Sequence, residues 1–236
     1  MNDIHEIYER ERRKWDEIAR QQAQNPAELM LKPEEDFHTV AERSTVMVGV
    51  NEFLGDLHDK EVLELGCGSG KTAALLAKAG ARVTAFDISP VSVRVAGIRA
   101  GLNGLADRTA FVVAVGERLP FADNSFDVLY GRAVLHHLDV KQGASEARRV
   151  LKPGGRAAFV EPLGTNPLLT FVRDHVPYPD KNPVGDDQPL NYTQIEQWGE
   201  GYSTFDYQEV HFLGMLERAF PYRARVRLIA LHNLDR

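Results

Sequence analysis

Four residues at two-residue spacing, Glu64, Gly66, Gly68 and Gly70, open the part of the chain best equipped for chemistry. They lie in Glu64-Leu65-Gly66-Cys67-Gly68-Ser69-Gly70-Lys71-Thr72, directly after the apolar pair Val62-Leu63. Glycines at this density let a backbone approach a ligand closely, because they lack Cβ and accept left-handed conformations. Three nucleotide-holding loops share parts of the pattern. A phosphate-binding loop, G-x-x-x-x-G-K-[ST], finds its ending in Gly70-Lys71-Thr72 but needs a glycine at 65, where Leu stands. Starting from Gly66 leaves three residues between the outer glycines, too few to wrap a phosphate in backbone N–H groups. The dinucleotide fingerprint G-x-G-x-x-G takes Gly66 and Gly68, but its third glycine falls on Lys71. The third pattern, an acid two positions ahead of G-x-G-x-G, is matched in full. There the glycines bring backbone against a carboxylate and a ribose, and no pyrophosphate sits on the following helix.

Other side chains have reactive potential of their own. Asp87 closes a second apolar run, and its simplest role is an acid ahead of the helix that Ser89-Pro90 opens. His136 and His137 are adjacent in Leu135-His136-His137-Leu138, and His is the commonest general base near neutral pH. No His, Cys, Asp or Glu set falls at a metal-ligand spacing, and adjacent histidines rarely share one ion, so no metal is expected. Cys67 reads as a small residue in a tight loop.

The elements that must carry these residues are legible from periodicity. Ile4, Ile7, Tyr8, Trp15, Ile18 and Ala19 form one stripe, which predicts an amphipathic helix over 3–22. A second helix is expected over 36–54. Strands are then expected at Glu61–Leu65, Arg82–Phe86, Thr109–Val113, Phe126–Tyr130 and Arg156–Val160. Helices fall between them at Lys71–Ala79, after Ser89-Pro90 and over 140–151, the last ended by Lys152-Pro153-Gly154-Gly155. Strand and helix alternate at βαβ spacing, which implies a parallel sheet with helices on both faces. Residues 163–203 break the rhythm with Pro167, Pro177, Pro179, Pro183 and Pro189 and read as irregular. Phe205–Phe212 and Tyr222–His232 are candidates for two closing strands, around a short helix at 213–219.

Composition narrows the function. The chain has 236 residues, 43% apolar, and a formal net charge of −6. That supports one sizeable core and offers no basic face for a duplex. The Arg10, Arg12, Arg13 and Lys14 group alternates with Glu6, Glu9, Glu11 and Glu17, the pattern of a solvated helix face. One cysteine, a charged start and no apolar run of about 20 residues point to a soluble cytoplasmic protein that neither crosses nor binds a membrane.

From Lys60 to Pro162 the chain resembles the class I S-adenosylmethionine-dependent methyltransferases. VLELGCGSGKTA resembles their first motif, and Asp87 in AFDIS the acid that ends the second strand. Residues 116–138, GERLPFADNSFDVLYGRAVLHHL, resemble the third and fourth motifs, and residues 149–162, RVLKPGGRAAFVEP, the approach to the fifth strand. The ordered set is far more specific than any one motif. More narrowly, the chain is similar to small-molecule methyltransferases of cofactor and natural-product pathways.

The resemblance implies an α/β fold: a Rossmann-like, doubly wound, mostly parallel seven-stranded sheet with helices on both faces and a small helical or irregular lid. It divides the chain into an N-terminal helical lid (1–55), a donor-binding core (56–162), an acceptor-binding lid (163–203) and closing strands (204–236). S-Adenosylmethionine is the implied cofactor. Asp87 would hold the ribose hydroxyls, Glu64 would face the methionine ammonium, and Gly66, Cys67, Gly68 and Gly70 would form the loop. Arg132 lies where the family's backbone meets the methionine end. Val115 occupies the place of the family's usual Asp, so adenine would lean on backbone at Gly116 and Glu117 and on Ile88. His137, with His136 as rival, is the candidate base beside the donor methyl. Tyr8, Trp15, Glu161, His175 and Tyr178 are candidate acceptor contacts, and Glu161 alternatively holds a loop N–H. A small-molecule acceptor is the expected partner, with no nucleic acid and no membrane; the oligomeric state stays open, a homodimer included. Two other functions stay in view: a protein that binds S-adenosylmethionine without methylating, and a nicotinamide oxidoreductase.

Overall fold

The computed structural model describes residues 4–44, 46–164 and 188–209. Five strands form one sheet: β1 (Glu61–Leu65), β2 (Arg82–Asp87), β3 (Thr109–Val113), β4 (Phe126–Arg132) and β5 (Leu151–Val160). Their order is β3-β2-β1-β4-β5, and each neighbouring pair is parallel. The chain lays β2 and β3 on one side of β1, then crosses to the other side for β4 and β5. In open α/β sheets that reversal leaves a crevice at the carboxyl ends of the strands.

Alternating residues feed two apolar layers. Val62, Val83, Ala85, Val128 and Tyr130 pack on one face with α2 (Phe37–Glu42), α3 (Val48–Leu54) and α4 (Lys71–Lys78). Leu63, Leu65, Phe86 and Leu129 pack on the other with α6 (Val140–Val150) and α7 (Tyr192–Gly199). Period-two side-chain alternation makes both faces of these strands apolar, as a covered parallel sheet requires. Tyr130 is fully buried, stands edge-on to Phe37 and donates its hydroxyl to Met47 Sδ at 3.3 Å, which pins the α2–α3 region to β4. α5 (Pro90–Leu102) starts as its sequence implies, with Ser89 Oγ accepting the Ser92 N–H at 2.9 Å and Pro90 at the first position. Along α5 lies α1 (Ile4–Ala23), joined through Ala19, Leu29 and Val95.

The structure departs from the periodicity in four places. The helix expected over 36–54 is two helices: α2 opens with an Asp36–Thr39 capping box and ends at Arg43, and α3 begins after a turn. β5 begins at Leu151, because Lys152-Pro153-Gly154-Gly155 is absorbed in an irregularity of the strand between the pairs Phe126–Leu151 and Val128–Arg156. A second helix, α7, lies within 163–203, started by reciprocal bonds between Asn191 and Gln194, a capping signature present in the sequence. Residues 205–209 are not strand. The other closing elements, 210–236, lie outside the described residues. No helix among the described residues is long and apolar enough to cross a membrane.

Gly70 ends the loop that β1 feeds into α4, in the left-handed region at φ 75°. A Cβ there would come within 2.8 Å of the Ala96 Cα on α5. Gly70→Ala is expected to destabilise the fold by about 2–4 kcal/mol through backbone strain and overpacking. Urea unfolding at pH 7 measures it.

Candidate active site

β1 and β2 deliver Glu64 and Asp87 side by side at the crevice. Asp87 is buried, and both oxygens are engaged: Oδ2 accepts the Gly68 N–H at 2.8 Å and Oδ1 the Ser89 N–H at 2.9 Å. Burial pushes this carboxyl above its ordinary range, Asp16 adds to the rise, and the N–H groups of Ser89, Gly68 and Ile88 oppose it. Glu64 is 4% exposed. Burial pushes it up to about 8, with Asp87 adding to the rise and the Thr72 hydroxyl and Ala73 N–H opposing it. Its Oε2 is buried without a hydrogen-bond partner. A buried carboxylate oxygen left this way costs free energy, so it marks a place for a donor group.

The glycine loop roofs these acids. Gly68 sits at φ 50°, and a Cβ there would meet nothing within 4 Å. Its open side faces a cavity of about 220 Å³. Glu64, the loop and Arg132 form one wall; Trp15, Ile18, Ala19 and Gln22 of α1 form the other. Cys67 is buried in the loop and its thiol is pushed well up by burial first and by Glu64 and Asp87 next, so it is no nucleophile.

The corner after β4 carries the histidines on a short 3-10 turn, Leu135–His137. Glu161 braces it from the end of β5. Its Oε1 accepts the N–H groups of Val134 at 2.8 Å and Leu135 at 3.0 Å, and its Oε2 lies 2.7 Å from His136 Nδ1. The His136 side chain is 4% exposed; that of His137 is 19% exposed, its ring centroid 4.0 Å from that of His136 and tilted by 41°. On its other side His137 Nδ1 faces Glu11 Oε2 of α1 at 3.8 Å. Glu11 also accepts the Trp15 indole N–H at 3.2 Å. Tyr8, one turn earlier, is raised by burial and then by Glu117. Glu117 Oε1 accepts the Asp139 N–H at 2.8 Å, and its Oε2 makes no hydrogen bond of normal geometry. α1 therefore spans the crevice mouth, from the start of α5 to the histidine corner.

The pattern of known proteins agrees with this arrangement. Residues 63–159 match a family model described as a methyltransferase domain. Over that stretch, less than half of its length, the chain is similar to methyltransferases. Methyltransferase GfsG of Streptomyces halstedii is 43% identical over 103 residues, covering 43% of this chain and 37% of that protein. O-Methyltransferase cnsE of Penicillium expansum is 34% identical over 136 residues, covering 57% of this chain and 49% of that protein. The matched stretch thus spans less than half the length of either relative. The solved YcgJ protein of Bacillus subtilis shares the fold, with a TM-score of 0.52 at 23% identity over 65% of this chain and 64% of that one.

In the structure, the residues expected from sequence fall into separate groups. Glu64, Gly66, Cys67, Gly68 and Arg132 line the cavity, with Asp87 bonded to the loop and Gly70 capping α4 behind it. Gly116 is buried against Leu138, Glu117 anchors the corner after the histidines, and Ile88 is half-buried beyond Asp87. Trp15 reaches the cavity, while Tyr8 stands at Glu117 instead. His175 and Tyr178 lie outside the described residues. Trp198 packs on Phe159 in the core. Among the described residues no three His, Cys, Asp or Glu side chains gather as a metal site. Sequence reasoning missed Glu11, Asp16 and Arg99. Glu11 had a signal, since it falls in the middle of the apolar stripe that Ile7, Trp15 and Ile18 define.

Glu64 makes stability depend on pH. A carboxyl at about 8 when folded and 4.5 when free holds more protons in the native state across that window. Stability therefore falls as pH rises from about 4.5 through about 8, by up to about 5 kcal/mol. Glu64→Gln should remove this slope and make the ligand-free protein more stable than the parent at pH 9. Paired urea titrations at pH 5 and pH 9 test the sign.

Proposed function

We propose that the chain methylates a small-molecule acceptor, with S-adenosylmethionine as donor. The observation that carries the reading is the buried, unpartnered Oε2 of Glu64, a residue that lines the cavity with the glycine loop and lies one strand away from Asp87. An ammonium group supplies the missing donor to Glu64. Asp87 has about four lone-pair sites, and the Gly68, Ser89 and Ile88 N–H groups do not fill them all, which leaves acceptor capacity for a ribose hydroxyl. Gly68 leaves room for a ligand to lie against the loop. Bound there, the donor supplies a methyl group on a positively charged sulfur, for in-line displacement by the acceptor.

The protein's own work is alignment, exclusion of water and proton removal. Alignment contributes up to about 7–11 kcal/mol in well-oriented intramolecular reactions. α1 shields the crevice, which strengthens charge interactions inside it. For a hydroxyl or amine acceptor, His137 takes the proton: it is the more exposed histidine, and His136 is committed to Glu161. O- or N-methylation is favoured on this ground, and the O-methyltransferase named among the relatives supports the first. Net charge −6 argues against a nucleic-acid acceptor, and a single buried cysteine suits a reducing, cytoplasmic location. The same proposal includes a cap at 1–55, a donor core at 56–162, an acceptor lid at 163–203 and, beyond residue 209, strands that extend the sheet to seven. Release of S-adenosylhomocysteine against a panel of metabolites identifies the acceptor.

Asp87→Ala removes the ribose partner and should weaken S-adenosylmethionine binding by about 2–4 kcal/mol. Calorimetry decides it, and binding within threefold of the parent sinks the assignment. His137→Ala should lower turnover at least ~10²-fold with donor affinity nearly intact. An unchanged rate moves the base elsewhere.

A further inference from the structure

α1 carries four glutamates, and one of them is buried. Glu6, Glu9 and Glu17 are exposed, as a solvated helix face requires, whereas Glu11 is 8% exposed. Taking a carboxylate out of water costs free energy unless partners replace the water. Glu11 Oε2 accepts the Trp15 indole N–H at 3.2 Å and lies 3.8 Å from His137 Nδ1. The first partner is neutral and one turn along the same helix. The second stands on another element and can carry charge, and the two side chains of that pair are only 11% and 19% exposed. A pair so screened from solvent couples more strongly than one on an open surface. The corner holds a second histidine–carboxylate pair with a different task. Glu161 accepts the Val134 and Leu135 N–H groups as well as meeting the His136 ring, so it builds the turn itself. Glu11 reaches the His137 ring from α1.

We propose that Glu11 is the positioning residue of the His137 base, the carboxylate that orients its ring and stabilises the charge it acquires. The inference rests on the methylation reading above and adds the group that makes His137 an effective base. As an acceptor oxygen or nitrogen takes the methyl group, its proton passes to His137, and the positive charge lost from the donor's sulfur reappears on the imidazole. With Nδ1 toward Glu11, the proton arrives at Nε2. Glu11 stands beside the new charge and does not itself take the proton, the part an acid plays behind the histidine of a hydrolytic triad. Trp15 connects this pair to the donor pocket, since the residue that lines the cavity is the one that holds Glu11.

Titration of the imidazole by NMR tests the pairing without an acceptor. Around the corner stand Glu11 of α1, His136 with Glu161 of β5 behind it, and Glu117 against the Asp139 N–H, with Tyr8 of α1 beside Glu117. All but Glu11 are unchanged in Glu11→Gln, so the difference from the parent reports Glu11. The His137 midpoint, assigned through His137→Asn, should fall by about one pH unit in Glu11→Gln, with Glu11→Asp between the two. In transfer assays Glu11→Gln should move the acid limb of kcat down by the same amount and lower its plateau at least about threefold, with S-adenosylhomocysteine affinity within about threefold of the parent. An unmoved midpoint shows that Glu11 does not charge His137, and a moved midpoint with an unchanged kcat profile makes the pair a structural tie; either overturns the proposal. If the parent transfers no methyl group to any acceptor, the methylation reading falls instead, and the midpoint still decides whether Glu11 charges His137.

Discussion

Two backbone N–H groups close on one carboxylate, and the rest of the crevice is arranged around that closure. Gly68 and Ser89 come from different connections, the loop after β1 and the turn after β2, yet both donate to Asp87. Burying a carboxylate is costly, and these bonds offset that cost only if loop and turn keep their places. The loop then presents its open face, and the turn starts α5 in a fixed direction. Burial raises both carboxyls, with Asp87 adding to the rise of Glu64 and Asp16 to that of Asp87. Such acids are poised for a cationic partner, in keeping with the clustering of perturbed groups at functional sites.

The sheet and its donor side were legible from sequence for a physical reason. β1, β2 and β4 are short and largely buried, so apolar runs bounded by glycine and acid residues mark them within one or two residues. β1 and β3 fall on the expected bounds, and Ser89-Pro90 starts α5 as capping chemistry dictates. What failed was local competition. The stretch over 36–54 carries helical spacing throughout, but Asp36 and Thr39 cap a short helix and Gly55 stops a second. α7 was hidden by the prolines ahead of it, although Asn191 and Gln194 wrote its start plainly.

The acceptor side was less readable because it is assembled across distance. Nothing local tells Glu161 to hold Val134, Leu135 and His136, or Glu11 to meet His137; these contacts exist only once β4, β5 and α1 are in place. Arg99 illustrates the same limit. It is buried with its guanidinium on the Ser69 carbonyl and hydroxyl as well as the Glu28 and Leu29 carbonyls, and burial lowers its affinity for the proton. In sequence it is one more basic residue on a helix. In space it ties the glycine loop to the segment behind α1.

The position of α1 has a consequence for how this chain can diversify. The match to the family model ends at residues 63 and 159, and α1 lies wholly outside it. Yet α1 contributes one side of the cavity wall and one partner of the histidine corner, through residues on a single helical stripe. Inheritance can therefore alter Tyr8, Glu11 or Trp15 without disturbing a sheet bond or the loop. A helix that meets the sheet only through side chains lets the shape of the cavity change while the hydrogen bonds that hold the strands together stay as they are.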